Sequence, residues 1–198
     1  MKPCSLRSVA AMALCLGLTG PAHSQAAHCA KAKPGGFEFL LCRDEGLRAL
    51  DKKMAEVLLA AEPIAAKERP PMLKAEQRGW IKVRDECLKA GDKSACLQLS
   101  YTRRIAELQA SYQLLPATGS SNYLCGNNPG LIFKAVTYAS DPPTLAAELD
   151  ENTSVLFLQP GSSGTHYESG QVTFFELDGV AKIVWGRGSP EMKCTREP

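Results

Sequence analysis

The chain has 198 residues, with 23 Lys and Arg against 21 Asp and Glu, and eight cysteines. A balance this close to neutral argues against nucleic acid as the main partner, which generally needs a strongly basic face. No stretch is apolar over the roughly 20 residues that cross a bilayer, which excludes a spanning helix.

Residues 1–24 read as a secretory signal. Lys2 and Arg7 form its basic start, Val9–Leu18 its apolar centre, and Ala22-His23-Ser24 or Ser24-Gln25-Ala26 offers cleavage at 24 or 26. Cys15 follows Leu14 and Cys29 follows His28, and neither is the small residue that precedes a lipid-anchored cysteine. The expectation is a periplasmic or secreted protein with no stable membrane anchor. Losing Lys2 and Arg7 leaves 21 basic and 21 acidic residues, unevenly spread. Ala26–Pro116 holds 16 basic and 12 acidic residues, net +4, and Ala117–Pro198 holds 5 and 9, net −4. An acidic C-terminal half suits a cationic partner, because complementary potentials speed encounter. Six cysteines remain: Cys29, Cys42, Cys87, Cys96, Cys125 and Cys194. An even number in an exported chain points to disulfides. With no CxxC and only His28 and His166 left after cleavage, no metal and no cofactor is expected.

Residues 27–115 carry a helical period. Helices are predicted over Phe37–Ala61 (Leu47, Leu50, Met54 and Val57 on one stripe), over Met72–Ala90, closed by Gly91-Asp92, and from Ser94 to Leu114. This is a three-helix, disulfide-linked bundle. An antiparallel arrangement of the first two helices favours Cys42–Cys87 with Cys29–Cys96; a local Cys87–Cys96 clasp with Cys29–Cys42 is the alternative. Trp80 and Arg84 share a helix face. They read as a core tryptophan and an Arg84–Asp85 ion pair, since no histidine or partnered acid stands near them for acid–base work. The run Cys29, Leu41-Cys42, Leu50-Asp51, Gln77-Arg78-Gly79-Trp80, Arg84-Asp85-x-Cys87, Cys96-Leu97, Tyr101 and Arg104-Ile105-x-x-Leu108 resembles the LprI N-terminal-like (DUF1311) family. That resemblance implies an all-α exported module, in a family named after a lysozyme-inhibitor lipoprotein, and leaves the module's own role undefined.

Pro116–Ser121 is small and polar and reads as a linker (residues 116–121). From 122 to 198 the period becomes alternating. Strands are predicted at Ser121–Cys125, Leu131–Tyr138, Thr144–Leu149, Thr153–Leu158, Thr165–Glu168, Val172–Leu177 and Val180–Trp185, with Asp178-Gly179 as a two-residue hairpin. Short strands at this spacing mean a sandwich or a barrel. The fold class is thus α+β with two domains, helical first and all-β second. A Cys125–Cys194 bond would tie the ends of the β domain together.

Within that domain, Ser162–Phe175 (SSGTHYESGQVTFF) is a glycine-containing loop followed by a hairpin, presenting a serine at a turn. The pattern Ser163-Gly164-x-x-Tyr167, Gly170, Phe174-Phe175 and Ala181, with Tyr123-x-Cys125 as an opening strand, resembles the MliC/PliC family of C-type lysozyme inhibitors. The resemblance implies a small antiparallel β-barrel, a Cys125–Cys194 bridge and a serine loop that enters the lysozyme cleft, where the serine hydroxyl meets a catalytic carboxylate. It also implies a lysine fourteen positions after the serine, at the other acidic group; that position here is Leu177. Lys182 is the nearest cation along the chain. The residues expected to meet lysozyme are therefore Ser163, Gly164, Thr165, His166, Tyr167, Leu177 and Lys182, with Ser162–Tyr167 as the occluding loop. A binding module whose target has changed with the loss of the lysine is the second reading, and a cell-wall-acting enzyme the third. The chain carries no GxSxG, HExxH or phosphate loop, and Ser163 and His166 lack a third group to orient the imidazole.

Overall fold

The computed structural model describes residues 29, 31–68, 72–126, 130–161 and 163–198. The expected signal segment, its cleavage sites and His28 lie outside them.

Among the described residues the N-terminal half forms helices α1 (Phe37–Arg43), α2 (Glu45–Ala65), α3 (Leu73–Asp85), extended by a 3-10 turn at Glu86–Lys89, and α4 (Lys93–Ser111). The single helix expected over Phe37–Ala61 is two. Asp44 takes an extended backbone, φ −100° and ψ 110°, and its carboxylate accepts from the Leu47 amide at 2.9 Å. That is an N-cap, made by a short acceptor side chain on non-helical backbone. The same carboxylate accepts from Ser94 Oγ and, at 2.9 Å, from Gln98 Nε2, both on α4.

The break at Asp44 also accounts for the disulfides. Cys42 pairs with Cys29 and Cys87 with Cys96, at Cα separations of 5.7 and 5.5 Å. The favoured pairing, Cys42–Cys87 with Cys29–Cys96, is therefore corrected to the local alternative. It required Cys42 to ride on the same straight helix that runs against α3; with the chain turning at Asp44, Cys42 belongs to α1 instead.

Leu47, Leu97, Tyr101 and Leu108 are buried at the centre of this half. The Tyr101 hydroxyl donates to Asp51 Oδ1 at 2.7 Å and accepts from Arg84 Nη1 at 3.3 Å. Trp80 packs edge-on against Tyr101 at 5.0 Å between centroids. Arg84 lies 3.9 Å over the Phe37 ring and hydrogen-bonds Asp85 at 2.7 Å. Arg84 and Asp85 are thus the expected ion pair.

The second half is a closed antiparallel barrel of β1 (Ala117–Cys125), β2 (Ile132–Tyr138), β3 (Thr144–Leu149), β4 (Asn152–Leu158), β5 (Thr165–Ser169), β6 (Val172–Leu177), β7 (Val180–Trp185) and β8 (Met192–Arg196). Each strand pairs with the next, and β8 pairs back onto β1 with Cys125 opposite Cys194. The Cys125–Cys194 disulfide crosses that closing seam. Full closure leaves no edge strand open. Tyr123, Phe133, Phe174 and Ile183 fill the interior, and Phe133 stacks on Phe174 at 5.5 Å.

Two expectations change here. Most of the segment read as a linker is strand: Ala117, Gly119, Ser120 and Ser121 pair with Tyr138, Thr137, Val136 and Ala135 of β2. Small polar residues extend when a partner strand takes up their backbone groups, whatever their local preference. The alternating pattern predicts no strand at β8, whose mostly polar residues are ordered by pairing with β1 and β7 as the barrel closes. The two halves also pack together. Phe157 and Tyr138 stand outside the barrel's core cluster yet are 9% and 4% exposed, because α4 crosses this wall and Arg103 lies 4.3 Å over the Phe157 ring.

Candidate functional site

The loop between β4 and β5 is held at both ends. The Gln159 amide donates to the His166 carbonyl at 2.8 Å, and Leu158 pairs with Tyr167. Gly161 takes φ +87°, a left-handed conformation that only glycine adopts without strain. Gly164 is seated against the neighbouring strand: a Cβ there would collide with the Glu176 carbonyl oxygen and stand 3.0 Å from Phe175 Cζ. Glycine at this position is what lets the loop lie down on β6. Ser162 is outside the described residues, and Ser163, one residue before that anchor, is exposed.

The other expected residues separate by strand alternation. Tyr167 points into the barrel with 7% exposure, and burial pushes its hydroxyl pKa up. It is a core anchor and presents nothing at the surface. Thr165 is exposed at the barrel mouth, opposite Glu176. His166 is half-buried on the outer wall, its ring edge-on to Phe175 at 6.3 Å. Leu177 is 43% exposed at the last residue of β6. Lys182 stands in the outer-wall row His166, Phe175, Lys182, two strands from the loop, with its Nζ 3.5 Å from Glu191 Oε1. Strands lie about 4.8 Å apart, so roughly 10 Å of sheet separates His166 from Lys182.

The hairpin after Leu177 has φ +51° at Asp178 and +78° at Gly179, the primed turn expected from that dipeptide. Glu176 braces it. Its Oε1 accepts from the Gly179 amide at 2.7 Å, its Oε2 from Arg196 Nη2 at 3.2 Å, and Arg196 Nη2 also reaches the Tyr123 hydroxyl at 3.1 Å. This brace carries no signal in local sequence, since its members come from β1, β6 and β8. It stiffens the strand on which Gly164 rests. What results is an exposed hydroxyl on a short loop, mounted on a closed sheet, next to an apolar outer surface formed by Phe175 and Leu177.

The barrel is an MliC match. Residues 123–192 fit the model of the family described as membrane-bound lysozyme-inhibitor of c-type lysozyme. Across both halves, the chain is similar to Lipoprotein LprI of Mycobacterium bovis and of two Mycobacterium tuberculosis strains. Each is 24% identical over 166 residues, spanning 83% of this chain and 82% of the relative. No solved structure gives a significant match. The MliC match and the likeness to LprI support a lysozyme-inhibitor type of function, with a protein as partner. The MliC description is of membrane-bound proteins and LprI is a lipoprotein, while among the described residues no helix is long and apolar enough to cross a membrane.

Proposed function

We propose that the protein is an exported inhibitor of C-type lysozyme that occludes the enzyme's active cleft with the Ser162–Tyr167 loop and so protects the bacterial cell wall. The observation that carries this reading is Ser163, exposed beside a glycine that locks the loop to β6, inside the segment that matches the MliC family. Glycoside hydrolysis needs two carboxylates flanking the sugar. A hydroxyl held on a stiff loop hydrogen-bonds one of them without losing much conformational freedom. It fills the place of substrate and offers no leaving group, so the protein obstructs and does not turn over. The acidic balance of Ala117–Pro198, 5 basic to 9 acidic residues, supports a basic partner. The test is residual lysozyme activity titrated with the purified full chain. Inhibition that saturates, and weakens about tenfold or more in Ser163→Ala, supports the reading; no inhibition at a large molar excess ends it.

A second reading is favoured by Leu177. The family's lysine would meet the second acidic group through a charge-assisted hydrogen bond; leucine makes none, and Lys182 is turned to Glu191 on the neighbouring wall. Under this reading the scaffold is retained and the target differs, for example another glycan hydrolase or an envelope component. Failure to bind lysozyme, together with capture of a different envelope protein that Ser163→Ala abolishes, would select it.

A further inference from the structure

Between the two halves lies a cleft of about 1000 Å³ whose lining includes no residue of the serine loop. Its floor is the outer face of β2–β4, which the strand register divides into rows. Tyr138, Thr144 and Phe157 form the first, buried under α4. Val136, Ala146 and Val155 form the second, half-buried and open to the cleft. Lys134, Glu148 and Thr153 form the third, a polar rim. The opposite wall is the groove between α3 and α4, where Val83 and Leu99 are 69% and 59% exposed. Apolar side chains thus stand on both sides of a channel that runs about 21 Å along α4, from Cys96 to Ala110. Apolar surface gathered in one place and rimmed by polar groups marks an interaction site.

The charge of this rim runs against that of the half it belongs to. Ala26–Pro116 is net +4, yet the wall it turns to the cleft carries four carboxylates, Glu68, Glu76, Glu86 and Glu107, against two guanidinium groups, Arg103 and Arg104. Arg104 is buried and shared by Glu76 and Glu107, whose own side chains remain 46% and 42% exposed. Arg103 is laid over the Phe157 ring. Glu86 is 66% exposed, and Lys89, its partner, is not among the lining residues. On the floor Lys134 is matched by Glu148 at 2.8 Å. Ser100, Ser111, Gln113 and Thr153 add neutral groups that donate and accept and set no preference of sign. The preference comes from the carboxylates, and it is for cations.

An occupant must therefore bring apolar groups to the channel and positive charge to its rim. An extended segment would find no main chain to pair with, since the barrel is closed and the helices bond their own backbones. A helix satisfies its backbone internally and is held through side chains alone, with its apolar stripe in the groove and its charges at the edge. About fourteen helical residues cover the 21 Å. We propose that the cleft docks a cationic amphipathic helix of a partner protein. Its apolar stripe lies between Leu99 and the row Val136, Ala146 and Val155, and its lysines or arginines meet Glu76, Glu86 and Glu107. The cleft is separate from the serine loop, so the assignment stands whether or not the protein inhibits lysozyme.

The test is fluorescence anisotropy of three labelled fourteen-residue peptides titrated with the full chain. One is built of Leu and Lys with the leucines on a single helical stripe. The second has Glu in place of Lys, and the third has the composition of the first, shuffled so that no stripe forms. The first is expected to bind at least tenfold more tightly than either control. Leu99→Lys puts a cation on an exposed position inside the cleft and is expected to weaken it at least tenfold. Glu86→Lys reverses one rim charge and is expected to weaken it at least threefold, by an amount that shrinks as salt is added. Leu59→Lys, at a 71% exposed leucine on α2 outside the cleft, is expected to leave binding unchanged. All three variants should keep the parent's melting temperature and its effect on lysozyme. Equal binding of the three peptides, tighter binding of the acidic one, or undiminished binding in Leu99→Lys would overturn the assignment. So would a dimer in sedimentation that Leu99→Lys abolishes, which would give the cleft to a second copy of the chain.

Discussion

Arg196 Nη2 stands 3.2 Å from Glu176 Oε2 and 3.1 Å from the Tyr123 hydroxyl, so the last strand ties the first strand to the hairpin beside the serine loop. Only 13% of the Glu176 side chain is exposed, and its other oxygen accepts from the Gly179 amide at 2.7 Å. Glu176→Ala removes both contacts. The expected loss is about 1–2 kcal/mol in chemical denaturation, with lysozyme inhibition falling further than in a surface control such as Glu151→Ala.

Gly164→Ala puts a methyl group into the Glu176 carbonyl, a backbone atom that cannot step aside cheaply. The loop must lift off β6. The expected result is a drop in inhibition of tenfold or more. Overpacking of this kind costs about 1–3 kcal/mol. A crystal structure of the variant should show Ser163 displaced, and inhibition equal to the parent would mean that the anchor does not matter.

Leu177→Lys restores a cation at the family position, on a residue already 43% exposed, so folding is unaffected. Lysozyme affinity by surface plasmon resonance is expected to rise tenfold or more, and the gain should shrink as salt is added. Lys182→Ala, which breaks only an exposed pair with Glu191, is expected to change affinity by less than about threefold.

The Asp44 carboxyl is held below its ordinary value, first by the hydrogen bond from Ser94 and next by the Leu47 amide, both of which favour the charged form. A lowered folded-state pKa means stabilisation that is complete above the unfolded value and disappears as pH falls through the folded one. The helical half should therefore lose stability below about pH 4. Asp44→Asn should reduce that acid sensitivity while lowering the melting temperature at neutral pH.

The Cys125–Cys194 bridge closes a loop of 69 residues and Cys87–Cys96 one of 9. Chain entropy puts their stabilisation at about 4 and about 3 kcal/mol. Replacing both members of each pair by alanine should therefore lower stability more for the barrel bridge, measured by urea titration of the full chain.

By itself the sequence determined what depends on near neighbours. Apolar residues at a spacing of three and four made the helical half legible, alternation made seven of the strands legible, and Asp178-Gly179 specified its primed turn because those two residues tolerate positive φ. The exposed Ser163 followed from the same local reading. Tertiary structure alone decided whatever depends on groups far apart in the chain. Asp44 breaks the first helix while binding Ser94 and Gln98 on the last, and that break chooses the disulfide partners. Residues 117–121 become strand because β2 takes up their backbone hydrogen bonds, and β8 exists because β1 needs a partner. The brace from Tyr123 through Arg196 to Glu176, and the cleft facing Arg104, unite residues whose local patterns are unremarkable, since burial and hydrogen bonding act through space and leave no period to read.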